Sequence, residues 1–480
     1  MIILKIQVHW NYEAVEKKSK NIVENINNNE TSLGFGISSI FIDEIRNAIR
    51  ANDKQYLEDK ILILHQADIA DIFEILSKEE RKTLFSFLQD KLPAEALASL
   101  DEQVLKDIID NYKPSILGEL IGKLETDDAS YILENLDIEK RDALLEQIPK
   151  APRNLIIQSL QFPEMSAGRL MQRDYVAVPR YWNVGQVIDF LRGSSKVPDQ
   201  FYSIFIVDPK HMPVGTVPLH KLMRSERKVI LSDIMIKEPV IVSVTMDQED
   251  MAFLFEQYDL TSAPVVNSQN RLIGMVTVDD VVEVIQEEAE EDMLKLAGIS
   301  GDTDLYLAAW QTARSRFSWL FINLLTAILA SIAIGLFEGT IKQIVALAVL
   351  MPIVASMGGN AGTQTLTVAV RALATRELNQ SNALRVFGKE ILVGIINGLI
   401  FAVIVGLVAA LWFGEHGLGI VIALAMLFNL FVAGFFGAAI PLLLQRWKID
   451  PALGASILLT TVTDVVGFFV FLGLAQMLLI

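Results

Sequence analysis

Five apolar stretches in the C-terminal part of the chain constrain its fold more than any other feature. They cover residues 317–337, 344–370, 391–414, 418–444 and 452–480. A helix that crosses a bilayer needs about 20 predominantly apolar residues, and each stretch meets that length. The first four contain no charged residue, and the fifth contains one, Asp464. In lipid every backbone polar group must be satisfied internally, so the stretches predict five transmembrane helices.

Basic residues predict their orientation. Arg314 and Arg316 precede the first span; Arg371, Arg376, Arg385 and Lys389 lie between the second and third; Arg446 and Lys448 lie between the fourth and fifth. All eight fall on one side of a five-span bundle, and Lys342 falls on the other. By the positive-inside rule the N-terminal part is cytoplasmic and the C-terminus is outside. The expected location is the cell (plasma or inner) membrane, multi-pass and in contact with lipid. No cleavable signal is expected, because Lys5 ends the apolar run at Met1–Leu4.

Charge divides the 480 residues unevenly. Residues 1–300 carry 32 Lys+Arg and 50 Asp+Glu, whereas residues 301–480 carry 9 and 8. The overall charge of -17 excludes a nucleic-acid partner, which requires a basic surface. With no cysteine there is no zinc-thiolate site and no thiol nucleophile. No G-x-S-x-G, HExxH or Walker A pattern occurs, and His9, His65, His211, His220 and His416 show no ligand spacing. An enzyme is not expected.

Two features of the spans call for more than anchoring. Asp464 follows Thr460, Thr461 and Thr463, and a carboxylate near mid-bilayer costs about 2.5–3.5 kcal/mol on insertion scales. Such a group faces a bundle interior or a water-filled path. The run from Pro352 to Gln364 holds Gly358, Gly359, Asn360 and Gly362. Small residues allow close helix approach, and Asn360 and Gln364 at i, i+4 predict one polar stripe.

The soluble part reads as two architectures. Residues 1–37 are expected to be a mobile tail, and residues 38–162 a helical domain of short amphipathic units, with a capping box at Ser77–Glu80. A repeat follows. Ile204–Asp208 with Pro213–Val217 parallels Ala263–Asn267 with Leu272–Val276; Gly215 and Gly274 are 59 residues apart, and Met171 and Met235 are 64 apart. Each unit of about 60 residues predicts an α/β module, over 163–230 and 231–290. Asp279, Asp280, Glu283, Glu287, Glu288, Glu290, Glu291 and Asp292 then lie on one long helix. Asp279, Glu283, Glu287 and Glu291 form one stripe. Like charges at i, i+4 repel, and a hard divalent cation, which prefers oxygen ligands, relieves them.

These residues resemble the MgtE family of magnesium channels and transporters over about 40–480. The resemblance rests on Pro163-Glu164-Met165-Ser166-Ala167-Gly168-Arg169-Leu170-Met171, on Gly-Gly-Asn-Ala-Gly-Thr-Gln at 358–364, and on Thr-Thr-Val-Thr-Asp-Val-Val-Gly-Phe-Phe at 460–469. It implies a homodimer of multidomain subunits. Each has an all-α superhelical N domain, tandem α/β CBS repeats, a connecting (plug) helix over 291–316 and a five-helix transmembrane domain over 317–480. It implies magnesium import down its electrochemical gradient, with closure by cytosolic magnesium on acidic regulatory domains. By position, Asp464 matches the pore aspartate that holds magnesium through its water shell. Gly358, Gly359, Asn360, Gly362 and Gln364 match the pore-lining second span. Asp450 matches an acid at the cytoplasmic mouth. Asp128, Asp247, Glu249, Asp259, Asp280, Glu283, Glu288, Glu291 and Asp292 match sensor carboxylates. Thr277 and Asp280 match a Thr-x-x-Asp ribose contact for ATP, which Pro218–Lys221 in the first repeat lacks. Two alternatives stay open at this level: a broader transporter of Co2+, Ni2+ or Mn2+, and a membrane-anchored CBS nucleotide sensor.

Overall fold

The computed structural model describes residues 37–89, 91–194, 197–198, 200–299, 309–378 and 382–480. The tail expected over 1–37 lies outside the described residues except for Ile37. The chain divides into two compact units. One holds the residues up to Met251 together with Asp259–Val278; the other holds Ala252–Tyr258 together with Asp279–Ile480.

The first unit begins with short helices: α1 (Ser39–Ala51), α2 (Lys54–Ile61), α3 (Gln66–Ile75), α4 (Lys78–Leu88), α5 (Glu95–Ala98), α6 (Glu102–Asn111), α7 (Pro114–Ile121), α8 (Thr126–Glu134), α9 (Ile138–Gln147) and α10 (Lys150–Ser159). Their ends are specified locally. Ser38 caps α1 by accepting the Phe41 N–H at 3.3 Å. Glu80 accepts both the N–H (3.1 Å) and the Oγ (2.8 Å) of Ser77 at the start of α4. Ile45, Leu57, Ile69, Phe73, Phe85, Leu97, Leu117 and Ile132 belong to one continuous buried cluster, so the short helices share a single core.

Two sheets follow. One has the order β1 (Ala177–Pro179), β2 (Ser203–Val207), β3 (Pro213–Pro218), β4 (Ile236–Lys237); the other has the order β5 (Val242–Ser243), β6 (Ser262–Val266), β7 (Leu272–Thr277). The repeat extends to the registers. Val207 pairs with Pro213 and Val266 with Leu272, each after a register shift at the preceding residue. Helices α11 (Val184–Gly193), α12 (Leu219–Arg224), α13 (Leu231–Ile234) and α14 (Gln248–Tyr258) complete the element order here.

The opening segments of the two repeats are exchanged. Gly168 donates its N–H to Val244 O (3.0 Å), and Gln172 and Met275 exchange backbone hydrogen bonds at 2.8 and 2.9 Å. Leu231 donates to Trp182 O at 2.9 Å, and β4 pairs with β3. The segment before the first repeat thus completes the second sheet, and the segment before the second completes the first. A Cβ on Gly215 would lie 2.6 Å from Met235 Sδ, and one on Gly274 would lie 2.9 Å from Met171 Sδ. The two glycines make room for the exchanged methionines. The contiguous 163–230 and 231–290 division therefore follows the chain order, while the spatial halves interlock.

The second unit contains most of α15 (Val278–Leu296). That helix starts earlier than the 291–316 connecting helix expected from sequence and stops at a Gly298 turn (φ 73°), where Ile299 donates back to Leu294 O at 2.9 Å. Residues 300–308 of the expected helix lie outside the described residues. Then come α16 (Ala309–Gly335), the short α17 (Glu338–Gln343), α18 (Ala346–Ala374), α19 (Ala383–Phe413), α20 (His416–Arg446) and α21 (Ala455–Leu479). Among the described residues, five helices are long and apolar enough to cross a membrane, the shortest such segment being Thr312–Gly335 with 24 residues. Helix α20 is the most buried and packs against α18, α19 and α21. Its partners approach to backbone distance. A Cβ on Gly394 would lie 2.8 Å from Leu430 O, and one on Gly437 would lie 2.9 Å from Gly362 O.

Candidate ion path and regulatory carboxylates

Helix α18 has two unlike faces. Val354, Gly358, Gly362, Thr365 and Leu366 are buried, whereas Ser356, Asn360, Thr363, Gln364 and Thr367 are exposed in the isolated chain. The 4-3-1-3 spacing of the exposed set gives one polar stripe on a 3.6-residue helix. Asn360 Nδ2 reaches Ser356 Oγ at 3.5 Å. Thr363 and Thr367 return their hydroxyl protons to Gly359 O and Thr363 O, each at 2.9 Å. Their oxygens keep lone pairs on the stripe. Asn360 and Gln364 thus share the face expected of them. Gly358 and Gly362 occupy the opposite face and serve packing.

Asp464 is partly exposed on α21 and has no hydrogen bond or ion pair among the described residues. Thr460, Thr461 and Thr463 donate to backbone carbonyls one turn earlier, Thr461 to Ile457 O at 2.6 Å. The two pore-candidate helices touch below Asp464. A Cβ on Gly362 would meet Leu459 Cδ2 at 3.0 Å, and one on Gly359 would come within 4.0 Å of Thr460 Cγ2.

Sequence reasoning missed two groups in this bundle. Asn429, on α20, is fully buried, and its Nδ2 donates to Val354 O at 2.8 Å. Glu390 is buried on α19 at 8% exposure. The apolar stretch begins one residue later, at Ile391, whereas the helix starts at Ala383. The apolar run around Asn429, visible as sequence, is the available signal for it; Glu390 follows Lys389, and nothing in the sequence marks it as buried.

The acidic helix shows strained electrostatics. Burial pushes the Glu283 carboxyl above its ordinary pKa, and Asp279 adds to this. Burial also raises Glu287, helped by Glu283, Glu288 and Glu290. Burial raises Asp292, with Asp450 the largest charged contributor. Lys295 lies between these charges, its Nζ 2.6 Å from Glu291 Oε1 and 2.6 Å from Asp450 Oδ2. Burial lowers its pKa, but the hydrogen bonds to Asp450 and Glu291 outweigh that and hold it raised. Asp450 Oδ1 also accepts the Ala452 N–H at 2.8 Å. The loop before α21 is thereby tied to the end of α15.

The remaining expected carboxylates are spread over both units. Asp128 lies in the first turn of α8. Asp247 accepts the Glu249 N–H at 3.0 Å at the start of α14. Asp259 has a left-handed backbone (φ 50°) just after α14. Asp280 and Glu288 lie on α15. Thr277 is buried at the end of β7 and accepts from Gln172 Nε2 at 3.4 Å. Among the described residues, no three acidic or histidine groups gather closely enough to hold a bare ion.

Three family profiles match this chain. The MgtE profile, described as a divalent cation transporter, matches residues 351–474; the MgtE intracellular N domain matches 64–165; the CBS domain matches 231–287. The magnesium transporter MgtE of Thermus thermophilus is 32% identical over 443 residues, covering 91% of this chain and 98% of that protein. The magnesium transporter MgtE of Bacillus subtilis is 29% identical over 416 residues, covering 86% and 91%. Among solved structures, the cytosolic domain of the Mg2+ channel MgtE in complex with ATP is similar at 28% identity and a TM-score of 0.48, covering 51% of this chain and 99% of that one.

Proposed function

Because this chain belongs to the MgtE family, a transporter rather than an enzyme class, we propose that it imports Mg2+ down its electrochemical gradient as a homodimer. Its N-terminus is then cytoplasmic, and cytosolic Mg2+ closes the path. One observation carries the reading. The polar stripe of α18 and the unpartnered carboxylate of Asp464 belong to helices otherwise built for lipid. Exposing them to hydrocarbon is costly, so a second subunit and a water-filled path are the arrangement that satisfies them.

Mg2+ gives up its waters reluctantly and demands octahedral geometry. The scattered single-chain carboxylates suit a hydrated ion rather than a bare one. Two copies of Asp464 across a two-fold axis match the charge of one divalent ion, and the oxygens of Asn360, Gln364 and the threonines accept protons from its water shell. On the cytoplasmic side, the carboxyls of Glu283, Glu287 and Asp292 are raised by burial and by neighbouring carboxylates, and a divalent ion offsets both costs of charging them. Mg2+ bound at sensor carboxylates drawn from Asp128, Asp247, Glu249, Asp259, Asp280, Glu283, Glu288, Glu291, Asp292 and Asp450 favours the closed state through differential affinity. Thr277 and Asp280, at the β7–α15 junction, suit the ribose of ATP.

The test is Mg2+ flux into liposomes carrying wild type, Asp464→Asn or Asp464→Ala, with Co2+, Ni2+ and Mn2+ as competitors. Loss of flux in folded variants is expected. Wild-type flux and selectivity in either variant would overturn the pore assignment.

A further inference from the structure

Asn429 is a polar side chain with 0% exposure in the middle of the most buried transmembrane helix. Such a group costs free energy unless its hydrogen bonds are made. Its Nδ2 donates to Val354 O at 2.8 Å, and its Oδ1 has no hydrogen-bond partner among the described residues. A Cβ on Gly358 would lie 2.2 Å from Nδ2, and one on Gly467 would lie 2.8 Å from it. The amide therefore fills a notch that one glycine opens on α18 and another opens on α21. Gly358 directly precedes Gly359 and Asn360, and Gly467 lies one turn beyond Asp464.

We infer that Asn429 is a positioning residue for the transported cation: its amide fastens α18 through the Val354 carbonyl and spaces α18 from α21 at the depth of Asp464. The inference rests on the transport reading above. Asn429 touches no ion in this account. It sets the separation between the polar stripe on α18 and the carboxylate on α21, and so the size of hydrated ion that fits. The amide makes one hydrogen bond and leaves Oδ1 without a partner among the described residues, which fits a residue kept for geometry, since an apolar side chain of similar volume would bury more cheaply.

The experiment measures the half-saturating Mg2+ concentration and the Mg2+/Ni2+ flux ratio in liposomes. Asn429→Leu, Asn429→Asp, Gly358→Ala and the double variant Gly358→Ala/Asn429→Ala are compared with wild type and Asp464→Asn. In Asn429→Leu and Asn429→Asp the half-saturation or the ion ratio should move several-fold in folded protein. Gly358→Ala alone should be severely impaired, and the double variant should recover flux because the clashing amide is gone. If half-saturation and ion ratio stay at wild-type values while only folded yield falls, Asn429 is structural and the inference fails. If the Leu variant does not fold, Asn429→Asp and the double variant decide: wild-type half-saturation and ion ratio in both overturn the inference. Wild type indistinguishable from Asp464→Asn removes the transport reading and this inference with it. Flux lost in Asp464→Asn but unaltered in the Asn429 variants removes the inference alone.

Discussion

Lys295 Nζ and Asp450 Oδ2 are 2.6 Å apart, although 155 residues separate them in sequence. The pair joins the end of the acidic helix to the loop that leads into the helix bearing Asp464. Lys295 is thus a tethered cation among carboxylates proposed to bind a mobile one.

Removing that cation should make the cluster more attractive to Mg2+. Lys295→Met is expected to lower the cytosolic Mg2+ concentration for closure by a few-fold, about 1 kcal/mol for one partly exposed ion pair. Titrating flux against internal Mg2+ checks it, and an unchanged midpoint would contradict competition at this site.

Acid should oppose closure. The raised pKa values of Glu283, Glu287 and Asp292 mean that folding favours their protonated forms. The burial of their charged forms, with mutual repulsion added, weighs on the fold at neutral pH and is relieved as pH falls through those raised values, above the ordinary carboxylate range near ~4. Protonated carboxyls are poor Mg2+ ligands, so the closure midpoint should rise as pH is lowered toward that window. A Glu283→Gln/Glu287→Gln/Asp292→Asn variant should lose most of this pH dependence.

Arg169 holds the junction between the helical domain and the sheets. It pairs with Glu134 at 2.7 Å and donates to Phe162 O (2.9 Å) and Leu160 O (3.2 Å). Arg169→Ala should destabilise the first unit by about 1–3 kcal/mol, because it leaves two carbonyls and a half-buried carboxylate unpaired. Thermal unfolding of the purified chain reads this directly.

Glycines of the bundle should divide by what they face. Gly437→Ala drives a methyl to within 2.9 Å of Gly362 O, a backbone atom that cannot rotate away. It should cost about 1–3 kcal/mol. Gly359→Ala meets nothing closer than 4.0 Å and should leave the melting temperature near wild type.

Periodic features were legible in the sequence. The five spans appear as runs of apolar residues, the paired sheets as a 59-residue echo that extends to the register shifts at Val207 and Val266, and the start of α4 as Ser77 and Glu80. What escaped depends on partners distant in sequence. The exchange that seats Met171 on Gly274 and Met235 on Gly215 leaves no mark in a linear repeat. Lys295 reads as one more surface lysine until the fold brings Asp450 to it. Asn429 reads as an isolated polar residue until Gly358 and Gly467 are seen to leave it room. The Gly-Gly-Asn run appears in sequence as one pore motif, and the helix splits it into a packing face and a polar face.

The most direct test of the central claim is Mg2+ entry into liposomes holding the purified protein, measured with internal Mg2+ set low and then high. The account predicts entry at low internal Mg2+ that is lost at high internal Mg2+. Entry unaffected by internal Mg2+ would contradict regulation by the acidic helix, and no entry under either condition would contradict transport itself.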